Sequence, residues 1–150
     1  MLPEPWVIEI AMSSVRNKAR VLEMVERVMN GHDVGALSEY STNPSVIGSG
    51  TALVNAFPDL EATVRWIVAE DDIVSMYIEI QGTHRGPWIW VQEPSGNRVA
   101  VGMTLAFQFD DDGRMTDSWL GSNFVAMLQQ MGWGIAPAGQ TVPAGAGPPA

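Results

Sequence analysis

The sequence predicts an α+β fold, a cone-shaped barrel in which a curved antiparallel sheet wraps on N-terminal helices and a short C-terminal helix closes one end. Three observations predict it. Residues 13–33 carry apolar side chains at helical spacing. Segments between residues 59 and 122 alternate at strand spacing and are broken by turn residues, and "NFVAMLQQMG" is helical again. Helices followed by successive hairpins make a sheet covered on one side.

Each element follows from local chemistry. In "SSVRNKARVLEMVERVMNGHD", Val15, Ala19, Leu22, Val25 and Val28 recur at spacings of three and four and form one apolar stripe. Ser13 or Ser14 is placed to cap its start, and Gly31 to end it in a left-handed turn. "DVGALSEY" reads as a short helix and "STNPSVIGSG" as a loop. "LEATVRWIVAED" is a β-branched strand. "DDIVSMYIEIQGTH" sets Val74, Met76, Ile78 and Ile80 against Ser75, Tyr77, Glu79 and Gln81. "PWIWV" and "RVAVGMTLAFQF" read as strands joined by the turn "QEPSGN", and "DDDG" turns the chain into "RMTDSWLGS". The expected organisation is an N-terminal arm, 1–12, one domain, 13–133, and a disordered Gly/Pro/Ala-rich tail, 134–150.

Composition excludes several functions. The net charge of −9, with eight scattered Lys and Arg, supplies nothing to neutralise a nucleic-acid backbone. Without cysteine there is neither disulfide nor thiolate chemistry. No apolar run approaches the roughly 18 residues of a spanning helix, and the start "MLPEPWVIEIAMSS" lacks the positive charge of a signal peptide. The expectation is a cytoplasmic protein without a membrane or nucleic-acid partner.

Five segments, "MNGHD", "AFPDLEATV", "AEDDIVSMYIEIQGTHRG", "PSGNRVAV" and "DDGRMTDSW" running on to "LQQMG", occur in the order found in SnoaL-like proteins. The chain resembles these small polyketide cyclases of the nuclear transport factor 2 superfamily over residues 14–133. The resemblance implies the cone-shaped fold, a homo-oligomer (dimer or tetramer) and no metal or organic cofactor. It also implies ring closure of an apolar, polyketide-like ester by an intramolecular aldol reaction with an aspartate as acid/base. Laid against that pattern, the aspartate position is Leu120, a second acid position is Asn123, and the histidine before the tryptophan is Ser118. The segment between Asn43 and "AFPDL" is short, which implies a missing or reduced helix over the cone.

With the aspartate replaced, the acid/base candidates are His84, Asn123 and Asp117. Strand parity sets His84 on the face of Ile78 and Ile80, where an imidazole titrating near neutrality is a base; the plain reading is a strand-end histidine bonded to a loop carbonyl. Asn123 donates hydrogen bonds but cannot accept a proton. Asp117 is placed opposite Leu120 by parity and so faces away from the pocket, pairing instead with Arg65 or Arg85. His32 falls in a surface turn. Asp110, Asp111 and Asp112, like Asp71 and Asp72, lack the spaced ligands of a calcium loop and read as turns. The expected ligand wall is Trp88, Trp90, Met103, Leu105, Phe107, Trp119, Leu120 and Phe124, apolar and wide enough for a flat polycyclic or long-chain molecule.

Two functions follow. One is a cyclase or isomerase acting on an apolar carbonyl compound; the alternative is a non-catalytic small-molecule-binding or accessory protein. An epoxide hydrolase would need an inward carboxylate–arginine–carboxylate set, and the sequence offers none.

Overall fold

The computed structural model describes residues 3–134 and Gly139. Most of the expected tail therefore lies outside the described residues. Helix α1 spans Pro5–Met24 and runs on as one π-helical turn, Val25–Asn30. It begins well before Ser13, because Pro5 in the first turn suits a helix start. Ser14 is no cap; its hydroxyl donates to the Asp71 carbonyl at 3.2 Å and ties the helix to a strand turn. The buried stripe is Val21, Met24, Val25, Val28 and Met29, whereas Val15 and Leu22 are exposed. Val15 and Leu22 precede the π turn, and the buried side runs through Asn17, Val21, Met24 and Val25 instead. Gly31 is needed for space, since a Cβ there would sit 2.5 Å from the Arg27 carbonyl oxygen. The left-handed residue is His32, at φ 57°.

A 3-10 turn, Val34–Ala36, leads into α2, Leu37–Tyr40, and then into α3, Pro44–Ala56. The sequence reads the start of α3 as a loop, and the resemblance implies a missing or reduced helix. The structure corrects the first, since residues 44–56 are helical. Pro44 occupies the first turn, and the Asn43 side chain caps it by accepting from the Ser45 N–H at 2.8 Å. Its glycines lower helix propensity without stopping the helix.

The sheet has the order β1-β2-β3-β4, all antiparallel: β1, Glu61–Glu70; β2, Ile73–Thr83; β3, Arg98–Phe109; β4, Met115–Ser122. Irregularities between Val64 and Trp66 and between Gln108 and Phe109 break the register, and such bulges bend a sheet. Val74, Met76, Ile78 and Ile80 are buried against the helices, as are Val99, Met103 and Phe107 on β3. Trp66 and Trp119 are 47% and 49% exposed, and the Trp66 ring stacks on Tyr77.

"PWIWV" is not a strand, since β2 pairs directly with β3 and residues 84–97 form one long excursion between them. Within it Trp88 and Val91 exchange backbone hydrogen bonds of 2.8 and 2.9 Å around Ile89 and Trp90. Helix α4, Phe124–Gln130, covers the end of β3.

Strand β4 is an edge, and the segment before α3 covers its first residues. The Ser41 hydroxyl and the Thr42 N–H both donate to the Met115 carbonyl, at 2.7 and 3.3 Å, and the Asn43 amide donates to the Thr116 carbonyl at 2.7 Å. No helix among the described residues is long and apolar enough to cross a membrane.

Candidate functional site

A cavity of about 400 Å3 lies between α3 and the inner face of β3 and β4. The end of α1 supplies Met24, with Val28 and Met29 from the π turn; α3 supplies Val46, Leu53 and Val54; β3 supplies Met103, Leu105 and Phe107. Ser45, Ser49, Ile89, Asp117 and Leu120 also line it and are exposed, so they mark where it meets solvent. The volume suits a small organic ligand, and the apolar interior supplies its binding energy by burial.

Polar groups gather at the mouth. Among the described residues, Asp117 is the only ionisable residue in the lining. Its Oδ1 accepts from the Ser118 N–H at 2.7 Å, which leaves the second carboxylate oxygen for other partners. Its register partner is Gln108, on the outer face with Trp119 as parity expects, so the residue does not project into the interior and meets the cavity only at its rim. Nor does it pair with Arg65, which is bound to Glu79. Ser45, Ser49 and Ser118 surround the same opening.

Among the expected wall residues, Trp88, Met103, Leu105, Phe107 and Leu120 line the cavity, and Trp90, Trp119 and Phe124 do not. Trp119 sits on the outer face opposite Ala106. Trp90 is 63% exposed, because the tight turn after Trp88 points it outward. Phe124 stands behind the wall, its ring 6.1 Å from that of Trp88 and 6.0 Å from that of Trp90.

His84 and Asn123 are also absent from the lining. Asn123 is exposed and caps α4, accepting from the Ala126 N–H at 3.1 Å. His84 is on the inner side and fully buried, with its ring 5.7 Å from Phe57. Its Nδ1 accepts from the Ser95 N–H at 3.1 Å, and Nε2 has no partner among the described residues. Burial lowers its pKa below the usual histidine value, partly offset by the Gly86 backbone. His32 binds the Leu60 carbonyl through Nε2 at 2.9 Å. No cluster of three or more His, Asp or Glu able to hold a metal exists among the described residues.

The sequence reading missed the α3 wall and the serines at the mouth. The available signal was Val46, Gly50, Leu53 and Val54, which follow helical spacing within a segment dominated by its proline and glycines.

The family model for SnoaL-like polyketide cyclases matches residues 19–131. A comparison with curated protein sequences finds no match. Among solved structures, a proposed SnoaL-like polyketide cyclase from Jannaschia sp. CCS1 is similar at 20% identity, with 87% of this chain and 96% of that one covered and a TM-score of 0.69. AclR of Streptomyces galilaeus, a proposed hydroxylase, is 26% identical, with coverages of 79% and 97% and a TM-score of 0.65. IdmH of Streptomyces antibioticus, a proposed polyketide cyclase, is 23% identical, with coverages of 78% and 99% and a TM-score of 0.58.

Proposed function

Because the chain belongs to the SnoaL-like polyketide cyclase family, we propose that it is a cyclase or isomerase for an apolar, polyketide-like carbonyl compound, with Asp117 as its acid/base. The observation that carries this reading is that, among the described residues, one ionisable residue stands with serines at the rim of a cavity with an apolar interior. The ligand's ring system lies between α3 and the Met103–Phe107 wall, and its carbonyl stays at the serine-lined opening. The Asp117 carboxylate takes a proton from the carbon beside that carbonyl, leaving an enolate and a carboxylic acid. Hydroxyls of Ser45 and Ser118 donate to the enolate oxygen. In ring closure the enolate carbon bonds to a second carbonyl of the same molecule, and the resulting alkoxide recovers the proton from Asp117. In isomerisation the proton returns to a different carbon. Neither route calls on a cofactor.

The family's acid position is Leu120 here, which favours a second reading: an accessory protein that binds such ligands without turnover. The homo-oligomer that the family implies would form through the outer face of the sheet, where Trp66, Tyr77 and Trp119 flank the small residues Gly102 and Ala106 of β3. A cytoplasmic setting belongs to the same reading.

Deuterium incorporation into an aromatic β-keto ester in heavy water, followed by NMR, tests the proton transfer directly. Asp117→Asn should slow enzyme-dependent exchange by roughly 100- to 10,000-fold, the usual range for a positioned base, and leave ligand affinity within about threefold. Exchange by Asp117→Asn at the wild-type rate would remove Asp117 from the mechanism. Binding by the wild type without any catalysed exchange would establish the accessory reading.

A further inference from the structure

We propose that residues 84–97 are the movable wall of the cavity and that neutral His84 is the positioning residue that latches them shut, making ligand entry sensitive to pH. The proposal rests on the cavity being the ligand site and is independent of how Asp117 acts.

The excursion leaves β2 at Thr83 and rejoins the sheet at Arg98, and it contributes Trp88 and Ile89 to the cavity wall. His84 closes its base three times. Its N–H donates to the Asn97 carbonyl, its carbonyl accepts from the Gly96 N–H, both at 2.9 Å, and its ring nitrogen accepts from the Ser95 N–H. The third bond depends on protonation. A backbone N–H can only donate, so in this bond Nδ1 presents a lone pair and the ring proton sits on Nε2; the Ser95 hydroxyl, 3.1 Å from the same nitrogen, can turn either way. A second proton would turn Nδ1 into a donor facing the Ser95 N–H, break that bond and leave the Ser95 hydroxyl as its acceptor, while adding a charge to a buried ring.

Among the described residues no ion pair reaches the ring, and the Gly86 backbone offsets the charge only in part. The turn after α3 offers Asp59, already bound to Thr83 and to Arg98 at the start of β3; the excursion itself offers only exposed Arg85 and Glu93. Helices α3 and α4 contain no ionisable side chain.

The tip of the excursion is strained as well. Ile89, a β-branched residue, is held at φ 46°, where only glycine is comfortable. Strain of that kind persists only while its surroundings enforce it, and it collects at moving parts of sites. Opening the excursion releases the strain, frees the ring of His84 to protonate and unroofs the cavity beside Trp88.

Linkage fixes the size of the effect. If the freed ring titrates near the ordinary value of about 6.5 and the latched ring stays neutral, opening becomes roughly tenfold more favourable at about pH 5.5 than above pH 7.5. Hydrogen exchange on the ligand-free full chain, expressed as protection factors, should show that tenfold loss at residues 88–96 while β2 amides keep theirs. His84→Asn preserves an acceptor at the Nδ1 position and cannot titrate, so its protection should be the same at both pH values. Equal pH sensitivity in His84→Asn, or a wild-type excursion indifferent to pH, would overturn the proposal. Should His84→Asn fail to fold, 15N NMR of the wild type decides, because the chain has only two histidines. Ring protonation of His84 must then coincide with loss of protection, and protonation without it refutes the latch. Asp117→Asn should leave this response intact, which separates failure of the latch from failure of the catalytic reading.

Discussion

Replacing Gly48 by alanine tests the structural feature that most changes the picture of the site, the helical state of residues 44–56. Gly48 is inside α3, and a Cβ built there meets no heavy atom within 4 Å. Alanine at that point gains helix propensity and touches nothing, so the expected stabilisation is about 0.8–1 kcal/mol. Gly50 is the informative partner. Its added Cβ would lie 3.1 and 3.3 Å from the two methyl carbons of Leu37. Leu37 borders the cavity, so its side chain has room to yield by the few tenths of an ångström required. The same propensity gain is then reduced by that adjustment, and Gly50→Ala should stabilise by roughly half as much. In a chain of this length about 1 kcal/mol moves Tm by roughly 2–4 °C. Urea denaturation followed by circular dichroism reads both values, with an unchanged m-value showing that the unfolded state is not the cause. A neutral or destabilising Gly48→Ala would refute the helix, and with it the α3 wall of the cavity. A Gly50→Ala loss above about 1 kcal/mol would refute open space beside Leu37.

The cavity floor and the surface make separate predictions. Met103 is 1% exposed and lines the cavity, so Met103→Ala should cost about 2–3 kcal/mol, the low part of the usual range because its outer side already faces space. The variant should also admit a ligand bulkier by about one ring substituent, which comparative binding of substituted aromatic ketones checks. Asp59 accepts from the Thr83 N–H and hydroxyl at 2.6 and 2.7 Å, and those bonds, backbone first, hold its pKa below the usual 3.8. A depressed carboxylate contributes stability that is complete above its unfolded pKa and is lost as pH falls through the folded one. Asp59→Asn should therefore flatten the acid limb of the stability curve below about pH 4, measured by Tm against pH.

Alternation alone made β2 legible in the sequence, because one face of that strand is buried and the other is not. Parity also set His84 on the inner side correctly. What parity cannot show is which inner residues meet a cavity and which meet another side chain: His84 meets Phe57, and Leu105 meets open space. Asp117 escaped for another reason. Its position does follow parity, opposite Gln108 on the outer face, and it reaches the cavity because the rim lies at the edge of the sheet. Helix α3 was hidden by its composition, since Pro44, Gly48 and Gly50 are each turn formers by local preference, and what keeps them helical is the Asn43 cap and packing on α2. Trp90 shows the same limit: sharing a strand face with Trp88 required a strand, and two positions separated by a strained tip at Ile89 need not share anything.

The hydrogen bonds from Ser41, Thr42 and Asn43 to the carbonyls of Met115 and Thr116 have a wider reach than fixing α3. An exposed sheet border invites a second molecule to zip alongside it, and a docked strand would run straight across the cavity's doorway. Here the first acceptors along that border are already taken, and the next donor, the N–H of Ser118, is occupied by a carboxylate whose charge repels an identical border. The guard against self-association and the upkeep of an unobstructed entrance are thus one arrangement, so loosening Asn43 should both shorten the protein's life in concentrated solution and foul its own portal.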